Sequence, residues 1–211
     1  MVIANSLSPL TILENGDRLN RDEFECRYTA SNIKKAELVE GIVHVASPLR
    51  YTPHGKPHSH IITWLGTYQA AIAELEVGIE PTVRLDQDNE PQPDAVLFRL
   101  GGNAQIDADG YITGAPELIA EIAASTVSYD LHSKKRTYER SGVKEYIVWR
   151  TLDGQIDWFI LENGAYRNLE PDAAGIICSQ EFAGLWLNVN AILSNDMSTV
   201  LKTLQTGLAS E

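Results

Sequence analysis

Two carboxylates interrupt stretches that otherwise read as buried strands, and they constrain the fold more than any other feature of the chain. Asp94 opens the run Pro93-Asp94-Ala95-Val96-Leu97-Phe98, and Glu121 sits inside Leu118-Ile119-Ala120-Glu121-Ile122-Ala123-Ala124. An ionised carboxylate in a core costs about 3–5 kcal/mol when left unpaired, so a cation or a set of donors must compensate it. Lys134, in Asp130-Leu131-His132-Ser133-Lys134, lies on the next helical segment. Two such acids close enough to share a divalent ion, with a lysine nearby, point to a metal-dependent hydrolase. The competing reading places both acids at strand ends in water.

Length and composition set the frame. The 211 residues suffice for one domain with a proper core, or for a domain with small appendages. Met1–Ser6 shows no basic region leading into an apolar stretch, so no secretory signal is expected. No run approaches the roughly 18 apolar residues that span a bilayer, and no membrane partner is expected. Cys26 and Cys178 stand alone and far apart, which predicts two buried or half-buried thiols rather than a disulfide. The expected location is the cytoplasm.

A net charge of −12 and a pI of 4.8 argue against a broad electrostatic grip on nucleic acid. The basic residues are unevenly placed, however: Lys134, Lys135, Arg136, Arg140 and Lys144 follow Glu121 closely. Such a patch could dock a phosphate backbone, especially where bound metal cancels part of the site's own charge. For Arg136 and Arg140 a solvated helix face is an equal alternative.

The order of elements predicts α+β, or a mixed α/β sheet, with a meander in the second half. Residues 1–19 read as a poorly structured leader. Asn20 suits the cap of a helix through Arg21–Tyr28, and Glu40-Gly41 suits the turn between two strands. Pro53–Pro57 reads as a loop, followed by a helix over 58–75 with Ile61, Trp64, Leu65, Tyr68 and Ile72 on one stripe. Strands are predicted near 81–86, 94–99 and 117–123, then a helix over 130–140 closed by Gly142. Asp153-Gly154 and Asn163-Gly164 mark hairpin turns joining strands over 145–150, 156–161 and 165–169. A helix over 197–208 completes the chain.

Within 117–123, alternation puts Glu117, Ile119, Glu121 and Ala123 on one face, toward Asp94 if the two strands are neighbours. On the helix, Lys134 and Lys135 flank the buried stripe about equally, and spacing alone does not choose between them. His54, His58 and His60 form a second cluster, without the Cys or further carboxylate that usually completes a tetrahedral site. A surface loop and helix start explains them as well, although His58 or His60 could point inward from the first helical turn. Ser125 and Thr126 read as a helix cap rather than a nucleophile, and no phosphate-binding glycine motif is present.

Taken together, Pro93-Asp94, Pro116-Glu117-Leu118-Ile119-Ala120-Glu121-Ile122-Ala123-Ala124-Ser125-Thr126, Asp130, Lys134, Tyr138 and Gly142-Val143-Lys144-Glu145-Tyr146 resemble the Uma2 family, the DUF820 group. That family is assigned to the PD-(D/E)XK restriction-endonuclease-like superfamily. Glu37-Leu38-Val39-Glu40-Gly41 and Phe182-Ala183-Gly184-Leu185-Trp186-Leu187 extend the resemblance over residues 20–193. It divides the chain into a leader over 1–19, an endonuclease-like domain over 20–193 and a tail over 194–211.

The resemblance implies a mixed β-sheet core flanked by helices, with Asp94, Glu121 and the Ile122 carbonyl holding Mg²⁺ or Mn²⁺. The superfamily's lysine would follow Glu121-Ile122, where this chain has Ala123, and motif matching moves the role to Lys134. Its task would be to orient the attacking water and stabilise charge on phosphate. Glu40 and Glu37 are candidate supporting carboxylates, and His58 and His60 weaker ones. The implied activity is metal-dependent hydrolysis of DNA phosphodiester bonds. Two alternatives stand beside it: a catalytically weak nuclease-fold module that binds nucleic acid or protein, and a non-nuclease metalloprotein built on the histidines. Cutting both strands would suit a homodimer, with the 145–169 meander edge and the C-terminal helix as its surfaces.

Overall fold

The computed structural model describes residues 12–210, and its centre is the strand pair that carries the two acids. Six strands form a mixed sheet: β3 (Leu75–Ile79), β4 (Ala95–Arg99), β5 (Leu118–Ala123), β6 (Glu145–Arg150), β7 (Gln155–Glu162) and β8 (Ala165–Asn168). Their spatial order runs β8-β7-β6-β5-β4-β3. Neighbours are antiparallel except β5 and β6, which run parallel and therefore need a crossover connection. That crossover is a helix, α3 (residues 127–141), and it lies over one face of the sheet.

Central strands buried on both faces read as continuous apolar runs, and this sheet follows the rule. Ala95, Leu97, Leu118, Ala120 and Ile122 face a large core shared with α2 (Lys56–Ala71) and α4 (Met197–Leu208). Val96, Phe98, Ile119 and Ala123 face a second core under α3, with Tyr138 and Tyr146. A third, smaller core joins Leu13, Leu19 and Phe24 of α1 (Arg21–Thr29) to the hairpin of β1 (Ala36–Val39) and β2 (Ile42–Val45). The hairpin turns on Glu40 and Gly41, both at positive φ (53° and 71°), as a two-residue turn requires. It docks on the body through a reciprocal backbone pair between Leu38 and Glu90.

Several expectations need correction. The leader predicted over 1–19 includes residues 1–11, which lie outside the described residues; in 12–19, Leu13 and Leu19 are buried. Pro53–Pro57 is no loop: Tyr51–Gly55 is a π turn that runs straight into α2. The helix predicted to Leu75 stops at Ala71, because Ile72 is extended and Glu74 takes a positive φ of 70°; Leu75 then opens β3. Both cysteines are free and exposed rather than buried, Cys178 lying beside buried Ile177 on a short strand whose side chains alternate. Asn20 does cap α1, accepting from the Glu23 N–H, and Gly142 ends α3 at a left-handed φ of 87°.

Glu145 is fully buried at the start of β6, yet it is satisfied. It accepts from Trp158 Nε1, Ser179 Oγ and the backbone N–H groups of Gln180 and Glu181. Truncation would strand several donors that each cost about 1–3 kcal/mol when buried unpaired. Glu145→Ala is therefore expected to lose at least about 3 kcal/mol in urea unfolding. A loss below about 1 kcal/mol would mean that water replaces the carboxylate.

Candidate active site

Asp94 and Glu121 meet because of strand register. Ala95 pairs with Ala120, Val96 with Ile119 and Leu97 with Leu118, so continuing the ladder by one step sets Asp94 opposite Glu121. Regular pairing ends at that step, and the ladder hydrogen bond is replaced by a side chain: the Ile122 N–H donates to Asp94 Oδ2 at 2.7 Å. The carbonyls of Glu117 and Ala123 accept from Glu145 of β6 and from Thr151 just beyond its end. Backbone groups therefore face β6 at odd positions of β5 and face β4 at even ones. A strand residue's N–H and C=O point to the same side, so the Ile122 carbonyl opens beside Asp94, where β4 no longer covers it.

The lysine comes from α3. Val127–Tyr129 and Lys135–Ser141 are α-helical, and Asp130–Lys134 between them is wound as a π turn. The extra residue shifts the helix face and settles the choice that spacing left open. Lys134 is buried, with Nζ 2.9 Å from Glu121 Oε1 and 3.0 Å from Glu37 Oε2. Lys135 instead lies over the Phe159 ring at 3.6 Å. The other π turn, Tyr51–Gly55, carries His54, so both rare turns deliver residues to one place, a known habit of π turns at functional sites.

Four carboxylates surround one lysine at the base of a cleft of about 610 Å³. Glu121 Oε1 accepts from both Lys134 and the Tyr138 hydroxyl (2.8 Å), so among the described residues its protein donors fall on one oxygen. Glu37 also accepts from the Gln92 N–H at 3.1 Å, and Asp130 accepts from Thr126 Oγ1 at 2.5 Å. Tyr129 covers Lys134, its ring centroid 5.4 Å from Nζ. Burial and the neighbouring acids push Glu121 up to about 8; burial pushes Asp130 up to about 6. Lys134 is raised instead, since Glu121, Glu37 and Asp130 outweigh its burial. Asp94 is held below the usual carboxylate range: burial opposes this, but the bonds from His54 and the Ile122 N–H prevail.

The remaining residues predicted from the sequence separate into two groups. Glu37 joins the site, whereas Glu40 pairs at the surface with Arg136 at 2.9 Å. His58 contacts the Asp94 carbonyl at 2.8 Å, whereas His60 turns toward Trp149, their rings 6.4 Å apart. His54, not expected to take part, lies with Nε2 3.2 Å from Asp94 Oδ1. No spacing signal joined it to a residue forty positions away. Tyr138 could have been found, since it follows Lys134 by one helical turn and faces the same way. The basic cluster is dispersed: Lys134 is internal, Lys135 covers a ring and Arg136 is paired.

Among the described residues no helix is long and apolar enough to cross a membrane. No curated protein matches the chain. A solved structure, "Crystal structure of a putative nuclease belonging to DUF820 from Anabaena variabilis ATCC 29413", is similar with a TM-score of 0.63 and 15% identity. The match covers 80% of this chain and 96% of that one, and shows a shared fold. A family model described as "Putative restriction endonuclease" matches residues 21–190, the stretch that contains every site residue above. The chain belongs to the Uma2 family.

Proposed function

We propose that the cleft is the active site of a divalent-cation-dependent nuclease of the PD-(D/E)XK type, acting on DNA. The observation that carries this reading is the buried group of Asp94, Glu121 and Lys134 on one face of the sheet, with the Ile122 carbonyl beside it. The donor set fits a hard ion. Asp94 Oδ1, the Glu121 oxygen not bonded to Lys134, and the Ile122 carbonyl are oxygen ligands of the kind Mg²⁺ and Mn²⁺ prefer. Burial and the neighbouring acids together raise Glu121 and Asp130, and the negative-charge part of that cost is what a divalent ion would relieve.

A bound ion would acidify a water and neutralise charge on phosphate. Lys134 would then orient the nucleophile, with Glu37 and Tyr129 fixing its ammonium. Arg50, exposed on the cleft rim, would be available to meet the phosphate backbone. Ala123 is packed in the core, so the lysine supplied from α3 replaces one that β5 has no room to offer.

Cleavage of supercoiled plasmid and single-stranded circular DNA, with Mg²⁺ or Mn²⁺ and with chelator, tests the reading beside Glu121→Gln prepared in parallel. Cation-dependent cutting by the parent alone is the expected result. Equal cutting by both proteins would assign it to a contaminant. DNA binding without cleavage would favour the second reading, a binding module, which the acidic surface and the dispersed basic cluster support.

Cation binding must also release protons from Glu121, whose carboxyl sits near 8. The rise in melting temperature on adding Mn²⁺ is therefore expected to be larger near pH 8 than near pH 6. An equal rise at both values would place the ion away from Glu121.

A further inference from the structure

We propose that His54, His58 and Asp94 form a second, imidazole-bearing cation position that takes Mn²⁺, Co²⁺ or Zn²⁺ beside the oxygen-only one. It deepens the reading of the cleft as a cation site and rests on that reading only in sharing Asp94. One ligand atom from each of the three residues lies within 4.8 Å of the others. His54 and His58 are one helical turn apart, across the junction of the π turn and α2, with ring centroids 5.8 Å apart. Residues so spaced face the same way.

The pair distance suits a shared ion. Two ligands each about 2.1 Å from a metal lie about 3.0 Å apart at a right angle and about 3.4 Å apart at the tetrahedral angle. His54 Nε2 and Asp94 Oδ1 are 3.2 Å apart, between those limits. The group is also held in place from outside. Asp94 Oδ2 is tied to the Ile122 N–H, leaving Oδ1 as the forward oxygen. His58 Nε2 meets the Asp94 carbonyl at 2.8 Å; donation there leaves the lone pair on Nδ1, the arrangement by which metal-binding imidazoles are commonly oriented.

His54 is a poor candidate for an ordinary core residue. It is only 8% exposed, and its Nδ1 is buried with no hydrogen-bond partner, so its polar tie is to Asp94. Imidazole favours transition metals over Mg²⁺ and Ca²⁺, which prefer oxygen. The two positions would therefore differ in metal preference while sharing one carboxylate.

Calorimetric titration of the full chain with Zn²⁺ in a large excess of Mg²⁺, paired with electron spin echo spectroscopy of the Mn²⁺ form, tests this. The expected result is Zn²⁺ binding despite Mg²⁺, and imidazole nitrogen coupling to Mn²⁺. Both should survive in Glu121→Gln, while His54→Ala and His58→Ala each lower Zn²⁺ affinity by at least about tenfold. His58 is half-buried, so His58→Ala decides the matter if His54→Ala fails to fold. Absence of Zn²⁺ binding, Mn²⁺ with oxygen ligands alone, or unchanged affinity in His58→Ala would overturn the proposal. Nitrogen coupling in a protein that cleaves no DNA would retain this site and remove the nuclease reading instead.

Discussion

Asp94→Ala is expected to lower cation-dependent cleavage by at least about 10²–10³-fold while leaving the sheet intact. The side chain stands where β4 pairing ends and does two things there. One oxygen takes the Ile122 N–H, which holds β5 at the residue whose own carbonyl opens on the same side; the other lies 3.2 Å from His54 Nε2 and is the oxygen proposed to meet a cation. Truncation would remove the proposed ligand and also loosen Ile122, the residue whose carbonyl would provide another. Asp94→Asn separates the two effects. It can still accept from Ile122, so it should keep the parent's urea midpoint yet bind Mn²⁺ at least about tenfold more weakly. Asp94→Ala should also lose about 1–3 kcal/mol in urea unfolding, because the buried Ile122 N–H and His54 each lose a partner. Plasmid cleavage by Asp94→Ala within a factor of a few of the parent would remove Asp94 from the chemistry.

The elements that the sequence revealed most clearly are those with local causes. The two-residue turns, the Asn20 and Gly142 caps and the helix over Met197–Leu208 each depend on residues a few positions apart. The two acids were legible for a related reason: a carboxylate in an apolar run is costly, and the cost is visible without knowing its partner. What was hidden depends on register and on helix winding. Spacing does not distinguish Lys134 from Lys135, because the π turn at Asp130–Lys134 advances the face by part of a turn relative to an α-helical period. Glu37 and Glu40 stand together as candidates in the sequence for a similar reason. One residue along a hairpin reverses the direction of the side chain, and only the docking of Leu38 against Glu90 decides which acid faces in. His54 needed the most distant information, the approach of a helical turn to the end of β4.

Lys134→Met is expected to destabilise the cation-free protein by about 3–5 kcal/mol near pH 8 and by much less near pH 5. Methionine preserves most of the aliphatic stem, so the loss would come from the charge. Lys134 is the buried ammonium between Glu121 and Glu37, and without it only the Tyr138 hydroxyl and the Gln92 N–H offset burial and mutual repulsion of these acids. Glu121 already lies near 8 with the lysine present, against an ordinary 4.5, and its removal would raise it further. A carboxyl with a raised folded value binds more protons folded than unfolded between the two values. Stability therefore falls as pH rises through that window, and protonation below it relieves the variant. A divalent cation should substitute for the missing charge: at one hundred times its dissociation constant it returns about 2.7 kcal/mol. Cleavage should not return with it, because an ion in the carboxylate cage cannot also orient the nucleophile as the ammonium would. Urea unfolding at both pH values, with and without Mn²⁺, measures each of these terms. Equal losses at the two values with no rescue by Mn²⁺ would show that Lys134 serves packing alone.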